Sequence, residues 1–529
     1  MGAVVLQQCS TTTREVERRI VVDGQQRFTT IQLLLDAVQE VLERRGHDRC
    51  ARRLALLVLN DPVFCGDDPD RAFKLWPTTS DRDAFRHAMH NELPSANHGD
   101  SLVVQAHEFF KEQIGLWLDD CPEPEKAPEA LEHAVSELLE LVVIDIERTD
   151  DPNVIFETLN ARGTPLLQSD LIKNFIMYKA GVQVQDAPEG RHDLWGLDSK
   201  WWRREVRQGR LTRPQVDVFL NYWLVARMRD EVAADGVFRE FQQYAASHSR
   251  PMQAIAGDMQ EVARVYREWE EGRYAEFELF RYRQEVMQVG VLTPVLLWLL
   301  SSSVPRHQFR KSLAALESYL VRRMVCRMTS KNYNSLFVGL LQRLEERGAS
   351  NAGDAVVGYL AEQEAHAREW PDDRVFREHF VGAPLYRLLS RARLRLVLEA
   401  VEQELRTDKA ESTSSPRGLT IEHIMPQHWR QHWTLRDEIE DKTAAGLDRD
   451  RVLHSVGNLT LVNQKLNSAL SNAPWDEKQQ TLKEHTTLFL NKDFLAEPPA
   501  EWDEMTIGRR GERLFERVVR VWPPPAGLR

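Results

Sequence analysis

At 529 residues and 61.3 kDa the chain is longer than one ordinary domain, and its length alone suggests roughly three. With 42% hydrophobic and 28% charged residues it can bury sizeable cores, which excludes a disordered or collagen-like chain. A formal charge of −12 excludes a globally basic nucleic-acid coat, though not a basic groove on one face.

The first elements are extended, at residues 3–6 (AVVL) and 20–22 (IVV). Asp23-Gly24 then turns the chain into an amphipathic helix, because Phe28, Ile31, Leu34, Leu35, Val38, Val41 and Leu42 recur at three- and four-residue intervals. The pattern stays mainly helical to Gly181, apart from a strand-like run at 141–144 (LVVI), and residues 182–200 read as a connection. Residues 200–405 read as an all-helical block without a fixed repeat. Its most apolar run, 289–304, is interrupted by Thr293-Pro294 and is shorter than the about 20 residues of a spanning helix. A buried helix is expected there, with Thr293 as N-cap and Pro294 in the first turn. Residues 407–418 (TDKAESTSSPRG) form the clearest boundary. The segment 419–529 then begins strand-like, passes through a loop with His and Pro and a Gly-Asn turn, and ends in helices. The last of these carries Ile507, Leu514, Phe515, Val518 and Val519 on one face. The cysteines Cys9, Cys50, Cys65, Cys121 and Cys326 are odd in number and form no C-x-x-C pair. They fit neither a disulfide framework nor a zinc ribbon, so a reducing cytoplasm is expected. The N-terminus lacks the order of a signal peptide.

Three groups of residues suggest chemistry. Near the C-terminus, residues 419–426 (LTIEHIMP) precede 457–461 (GNLTL), Asn463 and Asn467. Together they have the layout of a ββα-metal site: a strand with an acid–His pair, a loop Asn and a helix offering another ligand. An imidazole titrating near neutrality can take a proton from water in front of a phosphodiester. A hard cation on carboxylate or amide oxygen can neutralise the phosphate, and the Asn458 amide can hold the imidazole in one tautomer. The plainer alternative is a capped turn at Glu422-His423 and an ordinary turn at Asn458.

Near the N-terminus, Asp23-Gly24-Gln25-Gln26-Arg27 stands between a strand and a long helix. There a glycine permits close backbone approach, helix N–H groups face an anion, and Arg offers a fork to phosphate oxygens. A solvated turn fits equally well. Asn160, Arg162, Asp170 and Lys173 fall at helix ends, between an Asp151-Pro152 start, a Gly163 stop and a Ser169 cap. Such a cluster suits a nucleotide or a metal, and also a capping network. Finally, Arg203, Arg204, Arg207, Arg210 and Arg213 follow Trp201-Trp202, and Arg387, Arg391, Arg393 and Arg395 form a second basic run. Both are candidate phosphate contacts, against the plainer reading of solvated helix faces.

In combination, VVDGQQRFTT, IFETLNARGTPLLQSDLIKN and GNLTLVNQKLN resemble the GmrSD-like restriction family over nearly the whole chain. Within it, EHIMPQ with GNLTLVNQKLN resembles the His-Me finger (HNH) nuclease motif, and the phosphorothioate-sensing SspE proteins share the arrangement. The resemblance implies an α+β, predominantly helical fold. Its parts would be a DGQQR nucleotide-binding domain of ParB/sulfiredoxin-like fold at 1–181, a helical domain at 182–406, a linker at 407–418 and an HNH-like ββα-metal nuclease domain at 419–529. It implies His423 as general base, Asn458 as the residue orienting its imidazole, and Glu422 and Asn467 as metal ligands, with Asn463 a second candidate. The implied cofactors are Mg2+ or Mn2+ and an NTP (GTP or ATP). The nucleotide would sit at Asp23, Gly24, Gln25, Gln26 and Arg27, with Asn160, Arg162, Asp170 and Lys173 as companions. DNA, modified or phage-borne, is the implied partner, gripped in part by Arg203, Arg204 and Arg207; a second copy or a partner protein is also expected, and no membrane.

This sequence departs from the family pattern in three respects. The first ligand is Glu where Asp is commoner, no C-x-x-C pair supports the fold, and the stretch usually found before MGAVVL, with its aromatic-Gln-Arg motif, is not represented. The last point carries the expectation of a nucleotide domain incomplete at its N-terminus. The expected function is a metal-dependent DNA endonuclease of the type IV restriction kind, regulated by NTP and acting in phage defence. The competing expectations are a nucleotide-binding regulatory or partner protein with an inactive nuclease site, and a helical scaffold without catalysis.

Overall fold

The computed structural model describes residues 2–9, 16–65, 69–77, 81–90, 101–146, 167–180, 194–208, 211–248, 250–406, 418–431, 433–435 and 439–528. The chain divides into two compact units, Met1–Leu194 and Trp195–Arg529. It is predominantly helical with small sheets, in keeping with the α+β expectation.

In the first unit, strands β1 (Ala3–Gln8), β2 (Arg19–Asp23) and β3 (Val142–Ile146) form one sheet in the order β2-β1-β3. β1 is antiparallel to β2 and parallel to β3. A parallel partner needs a long crossover, and helices α1 (Gln25–Arg44), α2 (Asp48–Val58) and α3 (Leu102–Asp120) lie along it. The heptad-like spacing of α1 is used as expected: Leu35, Val38, Val41 and Leu42 are buried against α2 and α3 residues such as Leu54, Val58 and Ile114. Between α1 and α3 a buried His107 Nε2 lies 2.9 Å from Asp36 Oδ2. Helix α4 (Gln168–Lys179) starts one residue before the expected cap. The amides of Asp170 and Leu171 bond to the Leu167 carbonyl, so Ser169 is a buried first-turn residue and not the N-cap.

In the second unit, the block 200–405 departs from the all-helical reading at residues 205–214. Strands β4 (Glu205–Gln208) and β5 (Leu211–Pro214) pair as an antiparallel hairpin. The apolar run at 289–304 contains the buried helix Thr293–Ser301, with Pro294 in its first turn. Among the described residues no helix is long and apolar enough to cross a membrane.

The principal core of this unit joins helix α5 (Arg306–Val325) and helix α6 (Arg391–Leu405) to the C-terminal elements. Those elements are strands β6 (Thr420–His423) and β7 (Leu459–Val462), and helices α7 (Gln464–Leu470), α8 (Trp475–His485) and α9 (Glu504–Val521). Leu398 and Val401 of α6 share one core with Leu459, Leu461, Leu514, Val518 and Trp522. Polar contacts tie the same parts together: fully buried Glu402 accepts from the Leu490 amide at 2.7 Å and from Arg406 Nη2 at 2.7 Å, and Trp522 Nε1 donates to Glu317 Oε1 at 2.6 Å. Residues on the two sides of 407–418 are therefore packed as one body. β6 and β7 pair antiparallel, and their alternation splits the side chains. Ile421, Leu459 and Leu461 face the principal core, while Val462 joins a second core with Ile424, Met425, Trp475 and Trp502.

Candidate active site

Strand alternation governs the acid–His pair. Glu422 lies opposite Thr460 and His423 opposite Leu459, so these sequence neighbours project to opposite faces of the strand pair. Glu422 Oε1 accepts a 2.6 Å hydrogen bond from Lys478 Nζ on α8, and the same ammonium donates to the His423 carbonyl at 2.8 Å. Lys478 has no exposed surface. Burial pushes the Glu422 carboxyl up and the Lys478 ammonium down, and their mutual attraction opposes both shifts. A divalent ion at Glu422 would meet an ammonium already seated there, at a buried place where the repulsion is poorly screened. The donor set expected for Mg2+ or Mn2+ does not fit in this arrangement.

The remaining residues of the expected set serve the fold. Asn458 is fully buried and uses its whole amide on the surrounding chain. Its Oδ1 accepts from the Met425 amide (2.8 Å) and Trp502 Nε1 (3.0 Å), and its Nδ2 donates to the Met425 and Leu453 carbonyls (2.9 Å each). No valence is left for the imidazole, so it pins the loop after β6 instead of orienting His423. The glycine before it has a packing reason: a Cβ at Gly457 would stand 2.0 Å from the Ile507 carbonyl oxygen of α9. Asn463 is exposed and caps α7, its Oδ1 accepting from the Leu466 amide at 2.8 Å. Asn467 Nδ2 donates to Thr420 Oγ1 at 3.1 Å. Glu422, His423, Asn458 and Asn467 thus each engage a different partner. Among the described residues, the group of acidic and imidazole side chains close enough to share an ion is Asp36, Glu40 and His107 in the first unit, where Lys111 Nζ already stands 3.5 Å from Glu40.

On the other face, His423 enters a cluster that the motif alone did not reveal. Its Nε2 lies 3.2 Å from Nδ1 of His454, a second buried imidazole. Tyr386, from the turn before α6, packs its ring edge-on to His423 at 4.3 Å and stacks on His454 at 5.7 Å; its amide bonds to the His454 carbonyl at 3.1 Å. Arg391 lies over the Tyr386 ring and donates to the Tyr386 carbonyl. Burial drives the His423 pKa down to about 3, and His454, Lys478 and Arg391 add to the effect. His454 is lowered by burial first, then by Arg387 and Arg391. Both rings are therefore neutral around pH 7. His423 Nδ1 makes no hydrogen bond among the described residues. The result is a buried imidazole held at one nitrogen and without a hydrogen bond at the other among the described residues, with two exposed arginines, Arg387 and Arg391, beside the pair.

In the first unit, Gly24 is the N-cap of α1 at φ 92°, and a Cβ there would stand 2.5 Å from Val4 Cγ1. Glycine is required by a left-handed backbone and by the approach of β1. Gln25, Gln26 and Arg27 are exposed in the first turn of α1, which contains no acidic residue, and Gln25 Nε2 donates to the Val21 carbonyl at 3.3 Å. Asp23 ends β2. Asp170 is exposed and Lys173 half-buried at the start of α4, whereas Asn160 and Arg162 lie outside the described residues. Of the arginines after Trp201-Trp202, Arg203 contacts Asp198 at 3.3 Å, and Arg204 stacks on Trp201 at 4.3 Å while donating to Gln215. Arg207 is exposed on β4. The second basic run, at Arg387 and Arg391, is the one that adjoins the imidazole pair.

Sequence reasoning missed His454, Tyr386 and Lys478. The signals were faint: a His four residues before Asn458, and a Lys three residues into the helix opened by Trp475.

Comparison with known families accounts for both ends of the chain. The model of the GmrSD restriction endonuclease N-terminal domain matches residues 1–177, and that of the GmrSD restriction endonucleases' C-terminal domain matches residues 370–517. No curated protein matches the chain. The second match begins ahead of Tyr386 and so takes in both walls of the imidazole cluster together with β6, β7 and α7. The chain belongs to the GmrSD-like restriction endonucleases, whose substrate is DNA.

Proposed function

We propose that the chain is a DNA endonuclease of the type IV restriction kind in which His423 is the general base, acting on modified or phage DNA. The observation that carries this reading is the His423 imidazole, neutral, tied at Nε2 to His454 and without a hydrogen bond at Nδ1 among the described residues. A neutral imidazole with a free lone pair can take the proton of a water attacking phosphorus. Arg387 and Arg391 beside the pair supply charge for the phosphate oxygens. The two-stranded β6–β7 ribbon followed directly by α7 is in keeping with an HNH-like ββα arrangement.

For the first unit we propose a ParB/sulfiredoxin-like nucleotide domain in which the exposed first turn of α1, at Gln25, Gln26 and Arg27, receives the phosphates of GTP or ATP, with Asp23, Asp170 and Lys173 as companions. Support comes from the free N–H groups and positive potential of a helix start without acidic residues. A second reading is favoured by the burial of His423 and the occupation of Glu422 by Lys478: a nucleotide-binding regulatory or partner protein whose nuclease site is not competent.

Purified protein is incubated with plasmid or phage DNA and Mg2+ or Mn2+, with and without NTP, beside His423→Ala. Cleavage abolished by the substitution upholds the first reading. Cleavage at the parent rate in His423→Ala removes His423 from the reaction, and an inert parent with NTP turnover lost in Arg27→Ala upholds the second.

A further inference from the structure

We propose that His454 is the positioning residue for His423. It holds the His423 ring in the tautomer that carries hydrogen on Nε2 and leaves the Nδ1 lone pair free. The inference rests on the nuclease reading above and deepens it, because it names the group that gives the proposed base its direction.

His423 Nε2 and His454 Nδ1 are 3.2 Å apart, so one proton lies between them, and one nitrogen donates while the other accepts. If His454 donated, His423 would carry its proton on Nδ1, and its lone pair would be consumed inside the protein. If His423 donates, its free lone pair is the one at Nδ1, the nitrogen without a hydrogen bond among the described residues. His454 is itself held in place. Its carbonyl accepts from the Tyr386 amide at 3.1 Å, and its ring lies at 12° to the Tyr386 ring. Its backbone precedes a loop that Asn458 fixes through the Leu453 and Met425 carbonyls. The charged groups facing the pair are Arg387, Arg391 and Asp450 on the His454 side and Lys478 on the His423 side. The cationic majority opposes a proton added to either ring, so a neutral pair sharing one hydrogen bond is the resting form. The role that the sequence assigned to Asn458 thus falls to an imidazole four residues earlier, on the other face of the same turn.

The test uses the whole chain with supercoiled plasmid and with bis(p-nitrophenyl) phosphate as probes. Thermal unfolding verifies that each variant is folded. His454→Leu removes the acceptor and is expected to lower kcat by about 10–100-fold with little change in KM for plasmid. His454→Asn, whose Oδ1 stands near the place of Nδ1 and can accept the same bond, is expected to recover most of that loss. A His454→Leu protein that cleaves like its parent, or Asn and Leu variants that are equally slow, would overturn the proposal. A second measurement reads the tautomer directly from 15N-histidine-labelled protein. Hydrogen on Nε2 of His423 in the parent supports the assignment, and hydrogen on Nδ1 overturns it whatever the cleavage rates. His423→Ala separates the two readings. If it cleaves at the parent rate His423 is not the base, and the tautomer still decides whether His454 directs the ring.

Discussion

Replacing Asn458 by alanine asks whether that residue serves the fold or the imidazole. The side chain is fully buried, and its four hydrogen bonds pair two donors, the Met425 amide and Trp502 Nε1, and two acceptors, the Met425 and Leu453 carbonyls. Alanine strands all four inside the protein. Each buried group left unpaired costs about 1–3 kcal/mol, and a water entering the vacated space would re-pair some of them. A net loss of ~3–5 kcal/mol follows. In a large domain each kcal/mol moves the midpoint by about 2–4 °C, so Tm should fall by about 6–20 °C. The assay is thermal unfolding beside His423→Ala, with DNA cleavage measured at a temperature where both variants are folded. Cleavage by Asn458→Ala should follow the folded fraction. An Asn458→Ala protein that melts within about 2 °C of the parent while losing cleavage as completely as His423→Ala would refute this reasoning and return Asn458 to the imidazole.

Lys478→Met leaves the Glu422 carboxylate buried without its counter-charge and should cost about 3–5 kcal/mol, most of it recovered in Lys478→Met/Glu422→Gln. In the parent, Glu422→Gln should leave Mn2+ uptake unchanged by electron paramagnetic resonance, and lost uptake would make Glu422 a ligand after all. Gly24→Ala places a Cβ 2.5 Å from Val4 Cγ1 at φ 92° and should destabilise the first unit by more than about 2 kcal/mol; unaltered resistance to limited proteolysis would contradict it. The Cys326 thiol, pushed by burial up to about 12, should resist Ellman's reagent at pH 8 in native protein and react on unfolding in guanidinium. Arg387→Ala should weaken DNA binding and reduce the log–log salt slope by about one, and an unchanged slope would remove that guanidinium from phosphate contact.

The elements with a clean period were legible. Residues 3–6 and 20–22 stand within β1 and β2, the run at 141–144 overlaps β3 from Val142 onward, and the apolar spacing from Phe28 to Leu42 lies within α1. The hairpin β4–β5 was not legible because four-residue strands are too short to display alternation against a helical background. Gly24 was read as necessary for a ligand's approach; the neighbour that requires it is Val4. At the site, adjacency misled. Glu422 and His423 look like a pair in one dimension, yet the period of two that identifies a strand also sends consecutive side chains apart. Lys478 and Tyr386 reach the strand from distant helical segments, and no spacing rule encodes such contacts. His454 sat in plain view in LHSVGN, but a lone histidine has no signature until its partner is known.

The shared core of the second unit bears on how pieces of this chain can be exchanged among relatives. A fragment cut at residue 419 would leave with a bare apolar flank of Leu459, Leu461, Leu514, Val518 and Trp522, and its histidines would lose the tyrosine that roofs them. The smallest portable piece must bring along α5, whose Glu317 holds Trp522, as well as α6 and the turn that presents Tyr386. It therefore begins no later than Arg306, far upstream of the Ser-rich stretch where a cloner would be tempted to cut.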